Sequence, residues 1–122
     1  MGRGCFAAKG FGVNIASLVK YRKRLDDEKA RYFADWPIEP EQREACWLQL
    51  AQTLDSLIAL GDGGGVEDAT AILRRCVQGY NQLDDGFICT IEREELCDIL
   101  YEIGDYCGLD SEEEWVDEWR DW

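Results

Sequence analysis

Apolar positions recur at spacings of three and four along most of this chain, and no useful stretch alternates with the two-residue period of a strand. The strongest pattern is Val66, Ala69, Leu73, Cys76, Tyr80 and Leu83, a single stripe down one helix. Before it, Trp47, Leu50, Ala51, Leu54, Leu57 and Ile58 predict a helix opened by Pro40, whose missing N–H costs nothing at a first helical position. After it, Leu96, Ile99, Leu100, Ile103 and Cys107 form a third face, with Thr90 as the predicted cap. Near the N-terminus, Asn14 is placed to cap a helix that offers Ile15, Leu18, Val19, Leu25, Tyr32 and Phe33 for burial. Ser111 to Glu114 read as a capping box for a last helix bearing Trp115, Val116 and Trp119.

The breaks between these segments are equally legible. Trp36-Pro37-Ile38-Glu39-Pro40 ends the first, because each proline biases its predecessor away from the helical region. Gly61-Asp62-Gly63-Gly64-Gly65 is the clearest loop, Asp84-Asp85-Gly86 is a stop, and Gly108 closes the fourth segment. Phe87, Ile88 and Cys89 form a short apolar connector, expected to be buried or strand-like. Short connections favour antiparallel neighbours. The expected fold is therefore all-α: a compact bundle of about five helices over residues 14–122, preceded by a Gly-rich basic arm over residues 1–13.

Charge sharpens this picture. Residues 1–31 hold eight Lys and Arg against three acids, whereas residues 32–122 hold five Arg against 23 acids. The net charge of −13 argues against a conventional nucleic-acid binder, which shows a basic footprint. An apolar content of 46% in 122 residues is too high for a disordered acidic chain, and no run reaches the ~20 apolar residues of a membrane span. The absence of His removes imidazole acid–base chemistry and His metal ligands. No serine stands in a nucleophile-elbow context, so no catalytic residue is assigned and the chain reads as a non-enzyme.

The glycine loop lacks the Lys and Ser/Thr of a phosphate cradle; Val66-Glu67-Asp68 follow instead, and their carboxylates suit a helix N-terminus. Six cysteines occur without a Cys-x-x-C pair or a secretory signal, which points to reduced thiols in a cytoplasmic setting, with no metal or cofactor. Cys46, Cys76 and Cys107 fall on or beside apolar faces, as small buried hydrophobes do.

Two features remain as candidate binding surfaces. Glu94, Asp98, Glu102 and Asp105 line one helix face at spacings of four, four and three, as a solvated face, a site for a hard cation or a contact for a basic partner. The tail from Asp110 to Trp122 packs seven acids and three Trp into thirteen residues; Glu113, Glu114 and Trp122 are its candidate contacts, and Trp122 either docks on the bundle or anchors a partner.

Val66-Glu67-Asp68-Ala69, Tyr80-Asn81-Gln82-Leu83, Ile91-Glu92-Arg93-Glu94, Tyr106-Cys107-Gly108-Leu109 and Trp119-Arg120-Asp121-Trp122 give residues 57–122 a resemblance to a family of small bacterial helical proteins of unknown function. The resemblance implies a helical fold and a bacterial setting, and no activity.

The expected function is that of an acidic protein that neutralises a basic protein partner, a toxin for example, in the style of immunity proteins and antitoxins. A nucleic-acid-mimicking inhibitor is the alternative, weakened by the basic segment from Lys20 to Lys29; a thiol- or metal-based sensor is a further one. No direct contact with nucleic acid or membrane is expected, and no oligomeric state is assigned.

Overall fold

A computed structural model describes residues 12–122, which form an all-α bundle of five helices with no strand among them. These are α1 (Ile15–Asp27), α2 (Pro40–Ala59), α3 (Val66–Leu83), α4 (Thr90–Tyr106) and the one-turn α5 (Trp115–Trp119). Short 3-10 turns occupy Lys29–Arg31 and Ser111–Glu113. Residues 1–11 of the basic arm lie outside the described residues, as does Cys5. Val13, the last residue assigned to that arm, is buried, and its N–H donates to the Gly64 carbonyl at 3.3 Å.

Local chemistry sets the helix boundaries. Asn14 accepts from the Ser17 N–H at 3.1 Å, and Pro40 opens α2 behind a capping box of Glu39 and Gln42. Gly61 (φ +79°) takes the left-handed turn that follows α2. Two predicted caps are corrected. Cys89 caps α4 in place of Thr90, with its N–H donating to Glu92 Oε1 at 3.1 Å. Asp110, not Ser111, accepts from the Glu112 N–H at 2.9 Å, so the tail makes a 3-10 turn before Glu114 starts α5. In both places one residue upstream had a suitable acceptor, and the chain used it. The connector is coil: Phe87 and Ile88 are buried and Cys89 is exposed.

The α2–α3 pair forms the centre of the core. Leu50, Leu54 and Leu57 share it with Leu73, Cys76 and Val77, all almost fully buried. Tyr80 Oη donates to the Cys46 carbonyl at 2.8 Å, tying the end of α3 to the start of α2 and making the pair antiparallel. Helix α1 packs on α2 and on α4, with Leu18, Tyr21 and Leu25 inward; Val19, predicted for burial, is 49% exposed. Tyr21 takes a place that the periodicity assigned to Val19, because the inward stripe runs 18–21–25. Helix α5 packs on α3 and α4, where the Trp115 indole packs against Gly104; a β-carbon there would stand 2.4 Å from the indole.

Candidate functional site: an acidic groove between α1 and α4

Helix α1 is anchored to the end of α4, where the Asn14 N–H donates to the Tyr106 carbonyl at 2.7 Å. Further along, Arg24 Nη2 reaches Glu102 Oε2 at 3.1 Å, and the same oxygen accepts from Tyr106 Oη at 2.7 Å. The Arg24 guanidinium also lies over the Tyr21 ring, 4.3 Å from its centroid. Burial, and then hydrogen bonding with Tyr32, pushes the Tyr21 hydroxyl far above its ordinary value. Against the opposing pull of burial, bonds to Tyr21, Tyr32 and Glu102 hold the Arg24 guanidinium above its own.

These long polar side chains do not close the space between the helices. A groove of about 380 Å³ remains, lined by Tyr21, Glu28, Arg31, Tyr32, Glu95, Asp98, Ile99 and Glu102. Four carboxylates line it; Glu102 is held by Arg24, and Arg31 is a loose counter-ion, exposed and 4.0 Å from Glu28. Glu95 Oε1 accepts from the Trp36 indole N–H at 3.3 Å. Two tyrosines and Ile99 supply apolar walls, which strengthen the field of the acids by displacing water. Ile99, expected opposite the acids on the apolar stripe, is half-buried and faces the same groove as they do.

The predicted site residues divide accordingly. Asp98 and Glu102 line the groove, whereas Glu94 and Asp105 are exposed on α4 outside it. Glu113 and Glu114 also lie outside it, in the turn before α5 and at its cap. Trp122 is 5% exposed, and its main-chain oxygen accepts from Arg93 Nε at 3.1 Å and from Arg120. Docking on the bundle is thus the observed alternative, and Trp122 leaves the candidate surface. Glu28 and Glu95 had not been singled out. Glu95 stands three residues before Asp98, so a row of 95, 98 and 102 was as readable as one of 94, 98 and 102. Glu28 sits past a helix end, where no periodicity could place it.

The basic segment from Lys20 to Lys29 is largely consumed by the fold. Arg22 pairs with Asp26 at 2.8 Å and with Asp55 of α2 at 2.9 Å, Lys23 with Asp27 at 2.6 Å, and Lys29 with Glu44 of α2 at 3.1 Å. The charge asymmetry along the chain therefore becomes partial neutralisation in space. Burial pushes the thiols of Cys46, Cys76 and Cys107 up to about 11, 12 and 12, away from reactive thiolates. Among the described residues no three His, Cys, Asp or Glu side chains converge as metal ligands, and no helix is long and apolar enough to cross a membrane. No family model, curated protein or solved structure matches the chain.

Proposed function

We propose that this chain is a non-enzymatic binding protein whose acidic groove captures a basic side chain of a partner protein, in the manner of an acidic immunity protein or antitoxin. The observation that carries this reading is the gathering of Glu28, Glu95, Asp98 and Glu102 around one groove, where Arg24 holds Glu102 and the lining cation, Arg31, is loosely held. A Lys or Arg entering it displaces Arg31 to solvent and exchanges a long, exposed pair for several carboxylates against aromatic walls. The net charge of −13 steers a cationic partner toward the surface before contact.

The nucleic-acid-mimicking alternative also gains from one observation. The pairing of Arg22, Lys23, Arg24 and Lys29 with acids neutralises much of the basic segment that weakened it. Both readings place the partner's cations on α4, and they differ in whether the partner is a nucleic-acid-handling protein.

Charge reversal tests the common element. Glu102 is unsuitable, because Arg24 and Tyr106 both bond to it. Glu94→Lys and Asp98→Lys are exposed and leave the core intact. In capture from the native host, Asp98→Lys should lose the partner at moderate salt, whereas Glu94→Lys, outside the groove, should retain most of it. Equal retention by both variants at low and moderate salt would remove the groove from the function. Competition by duplex DNA for the captured protein would favour the mimic.

A further inference from the structure

A second groove, of about 510 Å³, is lined by the Lys29–Ile38 segment and the first half of α2. Its floor is the buried cluster of Phe33, Trp36 and Trp47, and its accessible apolar surface comes from Tyr32, Ile38, Pro40 and the exposed Ala34. The cations on its rim are already committed. Lys29 pairs with Glu44 at 3.1 Å and lies 4.2 Å from the Trp47 ring centroid, while Arg43 donates to the carbonyls of Tyr32 and Ala30. The groove therefore has little to offer an anion and much to offer an apolar side chain. Its shape is held by an unusual backbone: Phe33 sits at φ +60° with its ring fully buried, 4.8 Å from Trp36 in an edge-to-face contact. A bulky residue in the left-handed region is strained and persists only where its surroundings impose it.

This groove joins the acidic one in two ways. Tyr32 lines both. Trp36, in the wall of the aromatic groove, donates its indole N–H to Glu95, in the wall of the acidic groove. We infer that the partner segment carries a large apolar side chain beside its basic one, and that the two fill the aromatic and acidic grooves on either side of Tyr32. The inference rests on the acidic-groove reading above, and charge complementarity selects the occupant: a second copy of a chain at −13 is repelled, and a cationic segment is drawn in. Apolar contact then adds a slow-dissociating anchor to an electrostatically steered encounter.

The full chain, titrated with three small probes and followed by amide-resolved NMR, tests this. The probes are acetyl-arginine amide, acetyl-tryptophan amide and acetyl-Arg-Trp amide. The arginine probe should shift resonances around Glu95 and Asp98, and the tryptophan probe those around Ala34 and Trp36. The dipeptide should shift both sets and bind at least about tenfold more tightly than either half. Asp98→Lys should weaken the arginine half alone, and Ala34→Gln the tryptophan half alone; both positions are exposed, and an unchanged remainder of the spectrum verifies folding. If arginine binds at Asp98 but tryptophan adds nothing, the inference falls and the acidic-groove reading stands. If no probe shifts either groove up to about 10 mM, beyond the range of a weak single contact, both fall. Self-association that Ala34→Gln abolishes would assign the aromatic groove to a second copy and overturn the inference.

Discussion

The α2–α3 and α1–α4 pairs are both packed helix pairs, yet the groove beside α2–α3 is about 100 Å³ and that beside α1–α4 about 380 Å³. Between α2 and α3, leucines, Cys76 and Val77 fill the interface, and the polar groups that enter are hydrogen-bonded there: Tyr80 to the Cys46 carbonyl, Gln49 to the Cys76 carbonyl at 3.2 Å, and Thr53 to the Cys76 thiol. Between α1 and α4, the meeting side chains are Arg24, Glu102, Tyr106 and Tyr21. Compact apolar side chains interdigitate to native density, whereas long charged ones keep their heads hydrated and hold the helices apart. The first pair therefore carries stability, and the second carries a groove with charge in it.

Deleting side chain from the α2–α3 pair should have the largest effect. Leu73→Ala, at a fully buried position, should cost about 2–5 kcal/mol in urea unfolding. A loss within the surface range of about 0.5 kcal/mol would mean that this interface is not the core. Next come two glycines that allow helices to approach closely. Gly104→Ala drives a β-carbon to 2.4 Å from the rigid, buried Trp115 ring and should destabilise by about 1–3 kcal/mol. Gly79→Ala meets only the end of the Gln49 side chain, which can move; the helix-propensity gain of about 1 kcal/mol should roughly offset the lost Gln49 bond. Equal losses at both sites would show that backbone approach, not ring packing, sets the cost.

Alkaline pH should act on the apolar pairs through the buried thiols. Burial raises Cys76 from 9.0 to about 12, so the folded chain holds this proton while the unfolded chain releases it. Stability from this group is fully present below about pH 9 and falls above it, by up to about 1.4 kcal/mol per pH unit. Urea midpoints measured from about pH 8 to about pH 10.5 should decline, and the decline should be shallower in Cys76→Ala. A flat profile would mean that the thiol is hydrated in the native state. The smallest effect belongs to the α1–α4 pair. A double-mutant cycle on Arg24 and Glu102, whose side chains are 45% and 38% exposed, should give a coupling of only about 0.2–1 kcal/mol. A coupling comparable to the Leu73 loss would erase the distinction between the two helix pairs.

Much of the fold was legible in the residues. Stripes such as 66–69–73–76–80 specify a helix and its buried face, because the period of a helix is a property of the backbone alone. Pro40, Gly61 and Gly108 mark boundaries for the same local reason. The candidate site was legible only in part. Asp98 and Glu102 were found because they repeat along one helix, and Glu95 offered the same signal one position away. Glu28 offered none, since it reaches the groove only after α1 has ended and packed across α4. Trp122 shows the same limit in reverse: in sequence it could dock or project, and Arg93, twenty-nine residues upstream, settled it by holding its main-chain oxygen.

By itself the sequence determined what local periodicity and turn chemistry can specify: five helices, most of their inward faces, and an excess of acid toward the C-terminus. Only the tertiary structure decided which charges cancel and which stay exposed. The basic segment from Lys20 to Lys29 spends Arg22 on Asp55, Arg24 on Glu102 and Lys29 on Glu44, partners 33, 78 and 15 residues away. Charge acts over ångströms in space and is blind to distance along the chain, so no local pattern could show that these cations are consumed while Glu28, Glu95 and Asp98 meet around a groove.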